Sequence, residues 1–187
     1  MMCYRLTICI AMLLGLTLTA RCHTEHLDTD RDKLNKAIEY FQSGKYHESL
    51  LLFEKLDDKY QLNIRFRAYK GVCYYYDLEY EKAAITLDEI IDKIDVFAPH
   101  ERSVYYYCGA ESHFKLKEYV KAIVLFEKYL LLCYDNEKGD ALFKIGLCYK
   151  QLGQIETAQE YLVRSLDYYR KFNDTMKLNI AVKELNK

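Results

Sequence analysis

Residues 117–128, KEYVKAIVLFEK, decide the fold, because the same pattern returns three more times along the chain. The copies are GKYHESLLLFEK at 44–55, LEYEKAAITLDE at 78–89 and GQIETAQEYLVR at 153–164. Each has an aromatic or β-branched residue (Tyr46, Tyr80, Tyr119, Ile155), a small residue three places on (Ser49, Ala83, Ala122, Ala158) and a large apolar residue four places further (Phe53, Leu87, Phe126, Leu162). That spacing puts all three on one helix face. The small residues lie 34, 39 and 36 positions apart, the period of stacked supersecondary units.

Working outward, each copy is preceded by a second helical pattern in which a small residue is followed three places later by a ring: Ala37/Tyr40, Gly71/Tyr74, Ala110/His113 and Gly146/Tyr149. The chain therefore reads as helix pairs, 32–42 with 46–59, 64–94 with its turn at 77–79, 101–116 with 119–134, and 140–152 with 155–172. Ser43-Gly44 breaks the first pair. Pro99 and His100 mark the start of the third after a longer connection. Asn173-Asp174-Thr175 is a cap cluster, and Leu178, Ala181, Val182 and Leu185 follow at one-face spacing, as expected of a capping helix over 174–187. With one Pro, seven Gly and 51% apolar residues in 187, the composition fits an all-α chain with a sizeable core.

These paired patterns resemble the tetratricopeptide repeat family, over units 31–60, 64–96, 101–134 and 140–172. The resemblance implies a right-handed α-solenoid of stacked helix–turn–helix repeats closed by the C-terminal helix. His113 stands where the family has Tyr, and Ser49 where it has Ala. It also implies a concave groove lined by first helices, with Phe41, Tyr69, Tyr75, Tyr76, Tyr107, Phe114, Phe143 and Lys150 projecting into it. The family's clamp for chaperone C-termini uses Lys, Asn and Arg. The matching places here hold Leu34, Ile38, Ala68, Val72, Tyr107 and Cys108, which argues against a co-chaperone role. Aromatic grooves suit an extended peptide or a partner helix, so the expected partner is another protein. Self-assembly, or service as an accessory subunit of an outer-membrane assembly or secretion complex, is the alternative.

The N-terminus has its own pattern. After Arg5, residues 6–20 form an uncharged apolar run, the length of a signal-peptide core and shorter than the roughly 20 residues of a membrane span. The run closes on Leu18-Thr19-Ala20-Arg21-Cys22. One reading makes residues 1–22 a lipoprotein signal with Cys22 lipidated, although Arg21 departs from that pattern; a second cleaves after Ala20; a third keeps the leader as an uncleaved anchor. All three export the folded part to the periplasm or the envelope, with residues 23–30 as a tether.

Several functions are excluded by pattern. A formal charge of −1, lower by two without Arg5 and Arg21, gives no basic stripe for nucleic acid. Glycine-rich phosphate loops, HExxH, GxSxG and CxxC are absent, so no catalytic site, small-molecule substrate or cofactor is expected. The acid pairs Asp57-Asp58 and Asp88-Glu89 are expected on solvated faces. Cys22, His23 and His26 are too loosely placed for a metal site, and Cys73, Cys108, Cys133 and Cys148 fall inside helices as small apolar side chains.

Overall fold

The computed structural model describes residues 29–186. The chain divides into two compact units, 1–33 and 34–187. The leader, Cys22, His23, His26 and nearly all of the expected tether lie outside the described residues. Within the first unit, Thr29 and Asp32 cap each other, with Thr29 N–H donating to Asp32 (3.1 Å) and Asp32 N–H to the Thr29 hydroxyl (3.2 Å).

The helices are α1 (Asp30–Gln42), α2 (Tyr46–Tyr60), α3 (Ile64–Tyr76), α4 (Tyr80–Asp88), α5 (Pro99–Lys115), α6 (Tyr119–Leu132), α7 (Lys138–Gln151), α8 (Ile155–Lys171) and α9 (Thr175–Leu185). No strand occurs among the described residues, and no helix there is long and apolar enough to cross a membrane. In the second unit successive helices from α2 to α9 pack on one another, and α3 also packs on α5, one first helix on the next. This is the expected solenoid.

One turn joins the two helices of every unit. The ring residue of the first helix accepts a hydrogen bond from an N–H five residues on: Tyr40 from Lys45 (2.8 Å), Tyr74 from Glu79 (2.9 Å), His113 from Glu118 (2.9 Å) and Tyr149 from Gln154 (3.0 Å). The bond requires a left-handed residue just before the donor, supplied by Gly44, Leu78, Lys117 and Gly153 with φ of 75°, 64°, 63° and 75°. The four units are therefore in the register of the sequence pattern, His113 included.

Within a unit the small residue of the first helix admits the large residue of the second. A Cβ on Gly71 would lie 2.7 Å from Leu87 Cγ, and one on Gly146 would lie 2.9 Å from Leu162 Cγ. Phe53, Leu87, Phe126 and Leu162 are all buried. Ser49 is buried in place of an alanine, and its hydroxyl donates to the Ala37 carbonyl (2.8 Å), so the departure leaves no polar atom unsatisfied.

The structure corrects two sequence expectations. The second helix of the second unit stops at Asp88, and Ile91–Val96 continues as a 3-10 segment. Ile90 widens to φ −116° there; two adjacent β-branched residues, Ile90 and Ile91, suit a helix interior poorly, while Ile90 and Ile94 still bury their side chains. Asp58, Asp88 and Glu89 are exposed as expected, with Asp88 also bonding His113, but Asp57 is half-buried, pairs with Lys70 and accepts Leu62 N–H. Cys73, Cys108, Cys133 and Cys148 are free and buried, and burial pushes the Cys73 and Cys148 thiols up to about 12.

Candidate partner-binding groove

Rings from the first helices, bridged by Tyr46 and Tyr129 of second helices, form an unbroken series of contacts. Tyr69 stacks on Phe41 (centroids 4.2 Å apart), Phe41 meets Tyr46 edge-on (5.8 Å), and Tyr46 stacks on Tyr76 (4.0 Å, 7° between planes). Tyr76 meets Tyr75 (5.0 Å), Tyr75 meets Tyr107 (6.0 Å), and Tyr107 meets Tyr129 (5.3 Å). Edge-to-face and stacked pairs hold each ring in place beyond simple burial. Burial, followed by the neighbouring Tyr107, raises the Tyr75 hydroxyl pKa well above the usual phenol value, and burial moves that of Tyr76 up to about 12.

This wall opens into two cavities that share Tyr107 and Asp140. One, of about 270 Å³, is lined by Tyr76, His100, Ser103, Val104, Tyr107, Tyr129, Glu137 and Asp140. The other, of about 250 Å³, is lined by Tyr107, Glu111, Asp140, Phe143, Lys144, Tyr169, Lys177 and Ile180. The α9 residues Lys177 and Ile180 close one wall of the second cavity, so the capping helix also shapes the groove.

Its charges are paired across repeats. Glu111, 3% exposed, faces Lys144, whose Nζ lies 2.8 and 2.9 Å from the two carboxylate oxygens; only Oε2 receives a well-directed hydrogen bond. Lys144 also sits 4.6 Å over the Phe114 ring. Asp140 accepts the Tyr169 hydroxyl (3.0 Å) and Lys177 Nζ (2.7 Å).

Of the residues expected in the groove, Tyr76, Tyr107 and Phe143 line the cavities. Phe41, Tyr69 and Tyr75 are half-buried in the wall behind them, and Phe114 is half-buried under Lys144. Lys150 stands apart. Its ammonium donates to the Glu184 carbonyl (2.7 Å) near the end of α9, and it borders a separate small cavity with Ile155 and Leu185. Glu111, Asp140, Lys144, Tyr129 and Lys177 escaped the sequence reading. Glu111 had a signal: it is the lone acid in Cys108-Gly109-Ala110-Glu111-Ser112, at the position of Ile38, Val72 and Leu147 in the other units. Its partner is 33 residues away, which no local pattern reveals.

Comparison with known proteins follows the geometry. The model of the tetratricopeptide repeat matches residues 140–171. No curated protein matches the chain. Among solved structures, MamA MSR-1 is similar at 15% identity (TM-score 0.61), covering 85% of this chain and 95% of that one. MamA 41-end from Desulfovibrio magneticus RS-1 is similar at 14% identity (TM-score 0.60; 84% and 93% covered). The apo form of RapI is similar at 15% identity (TM-score 0.62) over 83% of this chain, which spans about three fifths of RapI, 61%. The fold is thus that of a tetratricopeptide-repeat solenoid, and residues 140–171 match the tetratricopeptide repeat.

Proposed function

We propose that this protein is a non-catalytic adaptor that holds another protein by a peptide or helix laid along its concave face. One observation carries the reading: the two cavities meet at Tyr107 and Asp140 and are backed by rings already locked by one another. A rigid aromatic wall presents contact area with little side-chain entropy left to lose on binding. We place this activity in the cell envelope, on the strength of the apolar run at 6–20 and Cys22. The leader would deliver the repeats across the membrane, and a lipid on Cys22 or an uncleaved leader would tether them.

The test is chemical crosslinking of the native protein in intact cells, followed by capture. An envelope protein should be recovered, and Tyr76→Ala with Phe143→Ala should reduce the yield at unchanged helical circular dichroism. Equal recovery by the double variant rejects the groove. Intact mass of the mature N-terminus reports the fate of Cys22: an acylated Cys22 supports the lipid tether, cleavage after Ala20 supports a free exported domain, and an intact leader supports a membrane anchor.

A further inference from the structure

The cavity bounded by α3, α5, α6 and α7 has three tyrosine walls, Tyr76, Tyr107 and Tyr129, and two carboxylates, Glu137 and Asp140, while among the described residues no lysine or arginine lines it. The rings of Tyr107 and Tyr129 are tilted by 51° at 5.3 Å, leaving an angled recess. The carboxylates are felt there: the Tyr129 hydroxyl is pushed up by burial, then by Glu137, with Asp140 adding to it. Glu137 accepts Tyr134 N–H with Oε2 (2.9 Å), which leaves it lone pairs to offer. Lys177 reaches Asp140 from the adjoining cavity, so the negative charge of Glu137 is the excess. In that adjoining cavity the carboxylate of Glu111 is buried and already paired with Lys144, whose Nζ lies 2.8 Å from Oε1.

We propose that these joined cavities receive an arginine side chain of the bound partner, its guanidinium stacked on the tyrosine rings and donating to Glu137 and Asp140. This rests on the groove reading above and names the partner's chemistry. A guanidinium is the fitting cation: it is planar, stacks on aromatic faces and offers several N–H donors to two acceptors at once, where an ammonium acts as a compact point charge. An acidic side chain would meet Glu137 as a like charge. An apolar one would strip water from two carboxylates and return no hydrogen bond.

The experiment selects binders to the immobilised full chain from a random displayed peptide library. Selected peptides are then measured by fluorescence anisotropy, each beside a copy with citrulline, the neutral isostere, in place of arginine. Arginine should be enriched at one position, and citrulline there should weaken binding about tenfold. Glu137→Gln, which keeps an acceptor for Tyr134 N–H, should remove most of that discrimination, and Tyr76→Ala should weaken the arginine peptide. Equal binding of the arginine and citrulline peptides, or discrimination that survives Glu137→Gln, overturns the proposal. Binders without arginine that are lost on Tyr76→Ala overturn it while leaving the groove reading standing. A selection that returns no binder overturns both.

Discussion

Nε2 of the buried His113 lies 3.0 Å from the Asp88 carboxylate, tying the first helix of the third unit to the end of α4 in the second. Nδ1 of the same ring lies 2.6 Å from Glu118, so a carboxylate faces each nitrogen and the imidazolium alone can donate to both. Burial, the largest influence, pulls the pKa down, but the bonds to Asp88 and Glu118 together hold it above the ordinary value. A folded-state pKa above the unfolded one stabilises fully below about pH 6.5, and the contribution is lost as pH rises through the folded value. Both carboxylates are partly exposed, so solvent moderates the effect. Thermal unfolding of the wild type and His113→Gln should therefore differ most at pH 5.5, with the gap narrowing by pH 8. A gap that widens with pH would contradict the bridge.

Gly146→Ala should destabilise the fourth unit. The new Cβ would meet Leu162 Cγ at 2.9 Å and the Ala158 carbonyl oxygen at 3.2 Å, and the backbone atom cannot swing aside. Overpacking of this kind costs about 1–3 kcal/mol, visible as a melting temperature lower by several degrees. An unchanged melting temperature would show that α8 shifts freely on α7.

The four turns predict a gain. Leu78 and Lys117 hold φ near the value that Gly44 and Gly153 hold, yet carry a Cβ in the left-handed region. Relief of that strain outweighs glycine's extra unfolded-state freedom, so Leu78→Gly and Lys117→Gly should each stabilise by about 0.5 kcal/mol. Chemical denaturation should give a higher midpoint at unchanged slope. Gly153→Ala should move the midpoint the other way.

Lys144→Ala should be among the most costly single changes, because it leaves the Glu111 carboxylate buried without its cation. Breaking a buried pair from one side costs about 3–5 kcal/mol, whereas replacing both partners by apolar groups of similar size is often nearly neutral. Glu111→Leu with Lys144→Met should therefore recover most of the loss in a double-mutant cycle measured by urea unfolding. Additive losses would mean that the two groups do not depend on each other.

The sequence by itself determined the helical pairs, their register and the end cap. All three follow from the spacing of residues such as Ala37, Tyr40, Ser49 and Phe53, and helix faces are set by residues three and four places apart. It also named Tyr76, Tyr107 and Phe143, because a repeat assigns the same outlook to the same position in each unit. What only the tertiary structure decided is which rings form the wall and which line the cavities, that Lys150 caps α9, and that Glu111, Asp140, Lys144 and Lys177 line one cavity. Those outcomes depend on the rotation between successive units, which sets contacts between residues 33 to 37 positions apart, beyond any local period.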